Sequence, residues 1–327
     1  FRECMDKDLN IVTVTQDSFK LIGITEEDRE KYRATNQFFD VGVAEQNMSM
    51  VAAGLAKEGF TPITNGYAPF ALGRAYDQIR VSVAHPRLNV KYFLTEGLLG
   101  GDGPFHECLE SVALGYYLPN IQVQWPCDTI EANKATMAAI IDVDGPIITL
   151  QERAPKPVVT KPETPYQFGI ANIITFKGRT PNFVDAFDIS LSTEWSGKKA
   201  DTVIIACGSQ VSEAMRASII LKEIKNIDTH VVNLHTLKPI DKKGLLKAIT
   251  GCRGIITVTQ QQRTVLGNIV AGVVLESGLK NLPTLNNLIM MGIDDGYGAT
   301  GKHNELVQHF GLTAEHIAEK ALSICEN

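Results

Sequence analysis

Short apolar runs alternate along the chain with longer stretches whose apolar positions recur every three to four residues. The runs Asn10–Thr15, Gln37–Val43, Thr61–Asn65, Asn89–Leu94, Ile121–Gln124 and Pro146–Leu150 predict strands. Helical spacing predicts helices over 45–57, 70–84, 107–117 and 129–141. Strands separated by helices in this way build a parallel sheet covered on both faces. The pattern breaks after Glu152, where Pro155, Pro157, Pro162, Pro165 and Pro181 exclude a helix interior or central strand. Residues 153–198 therefore read as an extended connection, with edge strands around 170–176 and 185–190. A second unit follows, with strands at Asp201–Cys207, Thr229–Asn233, Gly254–Thr259 and near Leu288–Gly292. Its helices fall at 210–224, 241–249 and 265–277, with a last one opening at Thr313, whose hydroxyl is placed to cap it. The expected fold class is α/β, with two domains (1–152 and 199–327), each a mostly parallel sheet flanked by helices.

Composition narrows the function. The 327 residues suit about two domains of roughly 150 residues. With 31 Lys and Arg against 37 Asp and Glu, the net charge is −6 and the basic residues are scattered, which argues against nucleic acid or an anionic membrane as partner. No apolar run approaches the length of a membrane span. The start, Phe1-Arg2-Glu3-Cys4, has neither an initiating Met nor a signal-peptide pattern, and reads as a chain whose first residues are missing. Six dispersed cysteines with no C-x-x-C pair predict reduced, mostly buried thiols in a cytoplasmic protein, and no metal site is expected on this chain.

Two places could carry chemistry. Glu45 opens a helix directly after a strand end formed by Phe38, Phe39, Val41, Val43 and Ala44. A carboxylate in a first turn is either a solvated partner of the helix dipole or, in such apolar company, a buried group needing a partner or a raised pKa. The loop from Gly97 to His106 carries four glycines, Asp102 and His106, and lies at the carboxyl end of a strand, where open α/β sheets bind ligands. It could equally be a tight loop with a solvated Asp and a capping His. It matches neither a dinucleotide fingerprint nor a phosphate-cradling loop. Gly101-Asp102-Gly103 mimics the start of a magnesium–diphosphate motif, but the downstream Asn pair is missing, with Asn133 alone in the corresponding stretch.

The segment Phe38-Phe39-Asp40-Val41-Gly42-Val43-Ala44-Glu45-Gln46-Asn47-Met48 resembles the core motif of transketolases and deoxyxylulose-phosphate synthases. Gly73–Arg80, Gly101–His106, Ile204–Glu213 and Thr236–Asp241 resemble further segments of the same family. The resemblance covers the pyrimidine-binding domain (1–152) and the C-terminal domain (199–327) but no diphosphate-binding domain, which implies the C-terminal subunit of a split, two-chain transketolase. It implies thiamine diphosphate as cofactor, with Mg2+ and the diphosphate held mainly by an N-terminal partner subunit in an α2β2 assembly. Glu45 would hydrogen-bond N1′ of the aminopyrimidine, favouring the imino tautomer that removes the thiazolium proton before a two-carbon unit is taken from a ketose. Tyr67 and Phe70 would pack on the pyrimidine. Asp102, His106 and Ser18 would contact the donor sugar, and Arg153 its phosphate.

The chain departs from the family at Gln16-Asp17-Ser18, Asn65-Gly66-Tyr67, Gln260-Gln261-Gln262 and a shortened 95–106 loop. It also reads Thr95-Glu96 where the family has Thr-His. A carboxylate at 96 is expected to repel a dianion, which opens the donor to a sulfonated, branched or non-phosphorylated ketose. The β subunit of a 2-oxoacid dehydrogenase decarboxylase and a non-catalytic regulatory or scaffold subunit remain as alternatives.

Overall fold

The computed structural model describes residues 1–278 and 287–326. The first half contains α1 (Arg2–Lys7), β1 (Ile11–Thr15), α2 (Glu26–Ala34), β2 (Phe38–Asp40), α3 (Glu45–Lys57), β3 (Thr61–Tyr67) and α4 (Tyr76–Gln78, within a run of wide helical turns from 69 to 84). It continues through β4 (Lys91–Glu96), α5 (Ser111–Tyr117), β5 (Gln122–Gln124), α6 (Thr129–Met137) and β6 (Ile147–Glu152). The second half contains β7 (Asn172–Phe176), β8 (Phe187–Leu191), β9 (Thr202–Ala206), α7 (Gln210–Lys225), β10 (Thr229–Asn233), β11 (Thr236–Lys238) and α8 (Lys242–Ile249). It ends with β12 (Gly254–Gln262), α9 (Arg263–Ser277), β13 (Leu288–Ile293), α10 (His303–His309) and α11 (Ala314–Cys325). Among the described residues no helix is long and apolar enough to cross a membrane.

Two mostly parallel sheets organise these elements. The first has the order β11-β5-β6-β4-β3-β1-β2, and the second β13-β12-β9-β10-β7-β8. Their central strands are buried along their whole length, as strands covered on both faces must be. The edge strands expected in the Pro-rich stretch are present as β7, which pairs antiparallel with β10, and β8, which pairs antiparallel with β7. β11 crosses to the first sheet and pairs antiparallel with β5. One apolar core runs through both sheets, and a second, smaller one gathers Ile11, Phe38, Ile63, Phe93 and Ile147 on the first sheet. Five of the six cysteines are buried and all six are free.

Several local expectations are corrected. β2 stops at Asp40 rather than Val43, because Asp40 Oδ1 accepts from the Gly42 and Asp17 amides (3.0 and 3.1 Å) and Gly42 takes φ +69°, a turn that glycine makes without strain. α5 starts at Ser111, not at 107. α11 begins where expected, but the Thr313 hydroxyl pairs with His316 Nδ1 and the Ala314 amide is instead capped by Glu213 from α7, at 2.9 Å. α1, α2 and α10 have no counterpart in the apolar pattern.

The two sheets meet at their carboxyl ends. Gly208, just after β9, lies on the fully buried Trp125; a Cβ there would sit 2.6 Å from the indole and 3.0 Å from Glu152 Oε1. In the β4–β6 ladder Glu96 and Glu152 are register partners, so two carboxylates lie side by side at the sheet edge. Glu152 is ionised and its pKa lowered, overcoming its burial through Lys156 (2.9 Å) and two bonds from Ser209. Glu96 is fully buried, accepts from Ser111 and leaves Oε2 unpartnered; burial pushes it up to about 8, with the neighbouring Glu152 charge adding to the shift. The Ser111 hydroxyl takes a bond from Gln261, and Ser209 one from Gln260, so side chains at the end of β12 close the polar layer.

Two outcomes follow from this junction. Gly208→Ala forces a side chain into positive φ and into Trp125, and is expected to lower stability by about 2–4 kcal/mol, read as a fall in the urea midpoint; an unchanged midpoint would contradict the packing. Folded, Glu96 keeps its proton to about pH 8, while the unfolded chain releases it near the ordinary value of 4.5. The folded state therefore binds more protons across that window, and Glu96 subtracts stability as pH rises through it. Glu96→Gln removes that loss, so its Tm should gain on wild type steadily from about pH 5 to 8; a Tm difference independent of pH would refute it.

Candidate functional site

Every candidate side chain lies at the carboxyl edge of the first sheet. Ser18 follows β1, Glu45 follows β2, Tyr67 ends β3, the 97–106 loop follows β4 and Arg153 follows β6. That edge is where an open parallel sheet leaves a crevice, because the crossover helices return along the faces rather than over the strand ends.

Glu45 is brought there by the Asp40–Gly42 turn, and starts α3 behind Ala44, which offers no capping side chain. Its side chain is 3% exposed, and both of its oxygens accept from Arg74 Nη1 at 3.0 Å. The partner required of a buried carboxylate is thus a guanidinium, itself half exposed and stacked 5.0 Å from the Phe70 ring. A carboxylate offers about four lone-pair positions, so Glu45 retains acceptor capacity beyond this ion pair. The strand end is less apolar in effect than its composition suggests, since Val43 is 73% exposed.

Next to Arg74 stands an aromatic wall. Phe70 and Tyr67 meet His106 edge-on at 5.4 and 4.8 Å between centroids. His106 is fixed by its backbone, its amide donating to Gly103 and its carbonyl accepting from Gly97, while its Nδ1 is buried without a partner. Tyr67 Oη donates to Asp102 Oδ2 at 3.4 Å, and Arg153 Nε reaches the same oxygen at 3.3 Å. Burial first, and then the Asp102 charge, raise the Tyr67 phenol above its ordinary pKa, so it stays a donor. Arg153 and Lys156 also line a cavity of about 400 Å³ with Cys127, Asp128 and Gln151. The structure thus links Glu45, Arg74, Phe70, His106, Tyr67, Asp102 and Arg153 in one chain of contacts. Ser18 stands apart from it, with its hydroxyl and carbonyl held by Asn65 Nδ2 at 2.9 and 2.6 Å.

Glu96 does not face this crevice. It is 0% exposed and turned into the layer between the sheets, so the expectation that it repels a substrate anion is overturned. Sequence reasoning also passed over Arg74, although it lies one helical turn from Phe70, and Lys156 and His303, which carry the loop from behind. Chemically, the arrangement offers a buried carboxylate and aromatic edges to a planar heterocycle, and an acid, an imidazole and a guanidinium to a polyhydroxylated anion. Among the described residues no group of three His, Cys, Asp or Glu side chains is arranged to hold a metal ion.

Comparison with known proteins places this geometry. Residues 1–155 match the family model for the transketolase pyrimidine-binding domain, and residues 193–317 that for the transketolase C-terminal domain. The chain is 33% identical over 291 residues to a putative transketolase C-terminal section of Methanocaldococcus jannaschii, covering 88% of this chain and 82% of that protein. It is 29% identical over 329 residues to a 6-deoxy-6-sulfo-D-fructose transketolase subunit of Clostridium sp. strain MSTE9, covering 99% and 91%. A solved structure described as a split gene transketolase in an inactive beta4 tetramer superposes with a TM-score of 0.79 at 26% identity, covering 99% of this chain and 95% of that one. The chain belongs to the transketolase family and carries its pyrimidine-binding and C-terminal domains.

Proposed function

We propose that this chain is the pyrimidine-side subunit of a thiamine-diphosphate-dependent transketolase that moves a two-carbon ketol unit from a ketose to an aldose. A second chain supplies the diphosphate and Mg2+ site and completes the active centre. The observation that carries this reading is Glu45, a carboxylate almost withdrawn from water, set beside an aromatic wall on the same sheet edge as Asp102 and Arg153. The spare acceptor capacity of Glu45 fits the aminopyrimidine end of the cofactor, and the unpartnered His106 Nδ1 fits a donor hydroxyl. Val43, 73% exposed two residues before Glu45, suits a chain that meets a partner at this edge.

When bound, thiamine diphosphate supplies the nucleophilic carbon and the electron sink that ketol transfer requires. Glu45 would share a hydrogen bond with the ring nitrogen, and its low-dielectric setting would strengthen that bond. Arg74 keeps the glutamate oriented and compensates its charge. Phe70 and Tyr67 close the ring off from water. Asp102 and His106 receive donor hydroxyls, and Ser18 lies at the neighbouring strand end. Arg153 exchanges its contact with Asp102 for the anionic end of the donor. A guanidinium binds phosphate and sulfonate oxygens alike, and with Glu96 turned away, nothing at that position argues against a charged head group.

Two measurements test the reading. Glu45→Gln, assembled with the diphosphate-binding chain, is expected to lose turnover by at least about a hundredfold with unchanged melting; near-normal turnover would remove Glu45 from its role. Arg153→Ala should raise KM for a phosphorylated or sulfonated ketose by about tenfold or more and leave a neutral ketose within a few-fold. Equal effects on both would show that Arg153 does not hold the head group.

A further inference from the structure

The loop bearing Asp102 and His106 is fastened to the second domain. The Leu99 carbonyl lies 3.0 Å from His303 Nδ1, and the Gly100 carbonyl accepts from the Gly301 amide. Gly103, at φ +80°, lies so close to Thr300 that a Cβ would come within 2.6 Å of its hydroxyl. His303 in turn contacts Lys156 Nζ, 2.9 Å from Nδ1 and 3.3 Å from Nε2. Lys156 pairs with Glu152 at 2.9 Å, and Glu152 is the residue before Arg153, whose Nε meets Asp102. The contacts close a ring: Asp102, the loop to Leu99, His303, Lys156, Glu152, Arg153, and back to Asp102.

We propose that His303 is a positioning residue for the donor site: by tying Leu99 to Lys156 it sets the separation between Asp102 and Arg153. The chemistry of the link is specific. Leu99 offers a carbonyl, which can only accept, and Lys156 an ammonium, which can only donate. A side chain joining them must present one donor and one acceptor, and a neutral imidazole has one of each: Nδ1–H toward Leu99 at 3.0 Å leaves Nε2, 3.3 Å from Lys156 Nζ, as the acceptor, while the 2.9 Å approach of Nζ to Nδ1 is a contact and not a hydrogen bond. Burial and the Lys156 charge lower the imidazole pKa, which keeps it neutral. A ketose gripped at its anionic end by Arg153 reaches Asp102 and His106 only if that separation is correct, so the hold matters most for donors bound at both ends. This inference rests on the transketolase reading for its consequence, but not for the contact itself.

The test compares His303→Leu, which removes both bonds, with His303→Gln, whose amide can restore a donor to Leu99 and an acceptor to Lys156. In the enzyme assembled with the diphosphate-binding chain, thiamine diphosphate and Mg2+, His303→Leu should raise KM for a phosphorylated ketose by about tenfold while kcat changes by less than about threefold. A ketose without an anionic end should be affected less than about threefold, and His303→Gln should stay near wild type with both donors. In the isolated chain, amides 99–103 should exchange about tenfold faster or more in His303→Leu and at the wild-type rate in His303→Gln. An unchanged KM in His303→Leu, equal damage from the two variants, or unaltered exchange would overturn the proposal. A wild-type assembly that turns over no ketose would instead defeat the transketolase reading, with the exchange result still deciding whether His303 holds the loop.

Discussion

A carboxylate removed from water is unfavourable by several kcal/mol unless it is paired, shared or protonated. The meeting edges of the two sheets depend on how the chain meets that demand. Glu152 is ionised and held by Lys156 and Ser209. Glu96, its neighbour in register, keeps its proton because it is buried without a cation, and the Glu152 charge beside it adds to that effect. Glu45 is matched to Arg74 and left with spare acceptor capacity at the crevice. Two of these acids build the junction between the domains, and the third remains available for chemistry. Position along one sheet edge, rather than residue type, separates the roles.

Much of the architecture was readable because parallel strands buried on both faces give uninterrupted apolar runs. β1, β4, β6, β9, β10 and β12 lie within a few residues of their expected places. What escaped the pattern lacked an apolar stripe. α2 buries only Tyr32 among its nine residues and is held by a capping box between Thr25 and Asp28, a local hydrogen-bond signal rather than a hydrophobic one. α10 is short and polar, with Leu306 and Val307 as its buried residues. The premature end of β2 was visible only as Asp40 and Gly42, whose meaning lies in a turn and not in hydropathy.

At the site, the motif around Glu45 and the loop with Asp102 and His106 fall together at the carboxyl edge of the first sheet. The partners were harder to read. Arg74 is 29 positions from Glu45, and Arg153 lies 51 residues past Asp102, so their pairing is a product of strand order. Glu96 misled for a related reason: a residue at a strand end can face the crevice or the neighbouring domain, and the register with Glu152 together with Ser111 decides for the second. The consequence is chemical. The departure from the family at this position lies in the junction between the sheets, and the proposed hold on an anion rests on Arg153 and the cavity beside it.

The central claim is that Glu45 of this chain faces a heterocycle whose charged tail is held by another polypeptide. The most direct measurement is a structure of the chain assembled with its diphosphate-binding counterpart and thiamine diphosphate. The account predicts the aminopyrimidine ring nitrogen within hydrogen-bonding distance of Glu45, with the ring against Phe70 and Tyr67 and the diphosphate on the other chain. A cofactor lodged away from Glu45, or bound wholly within this chain, would contradict it.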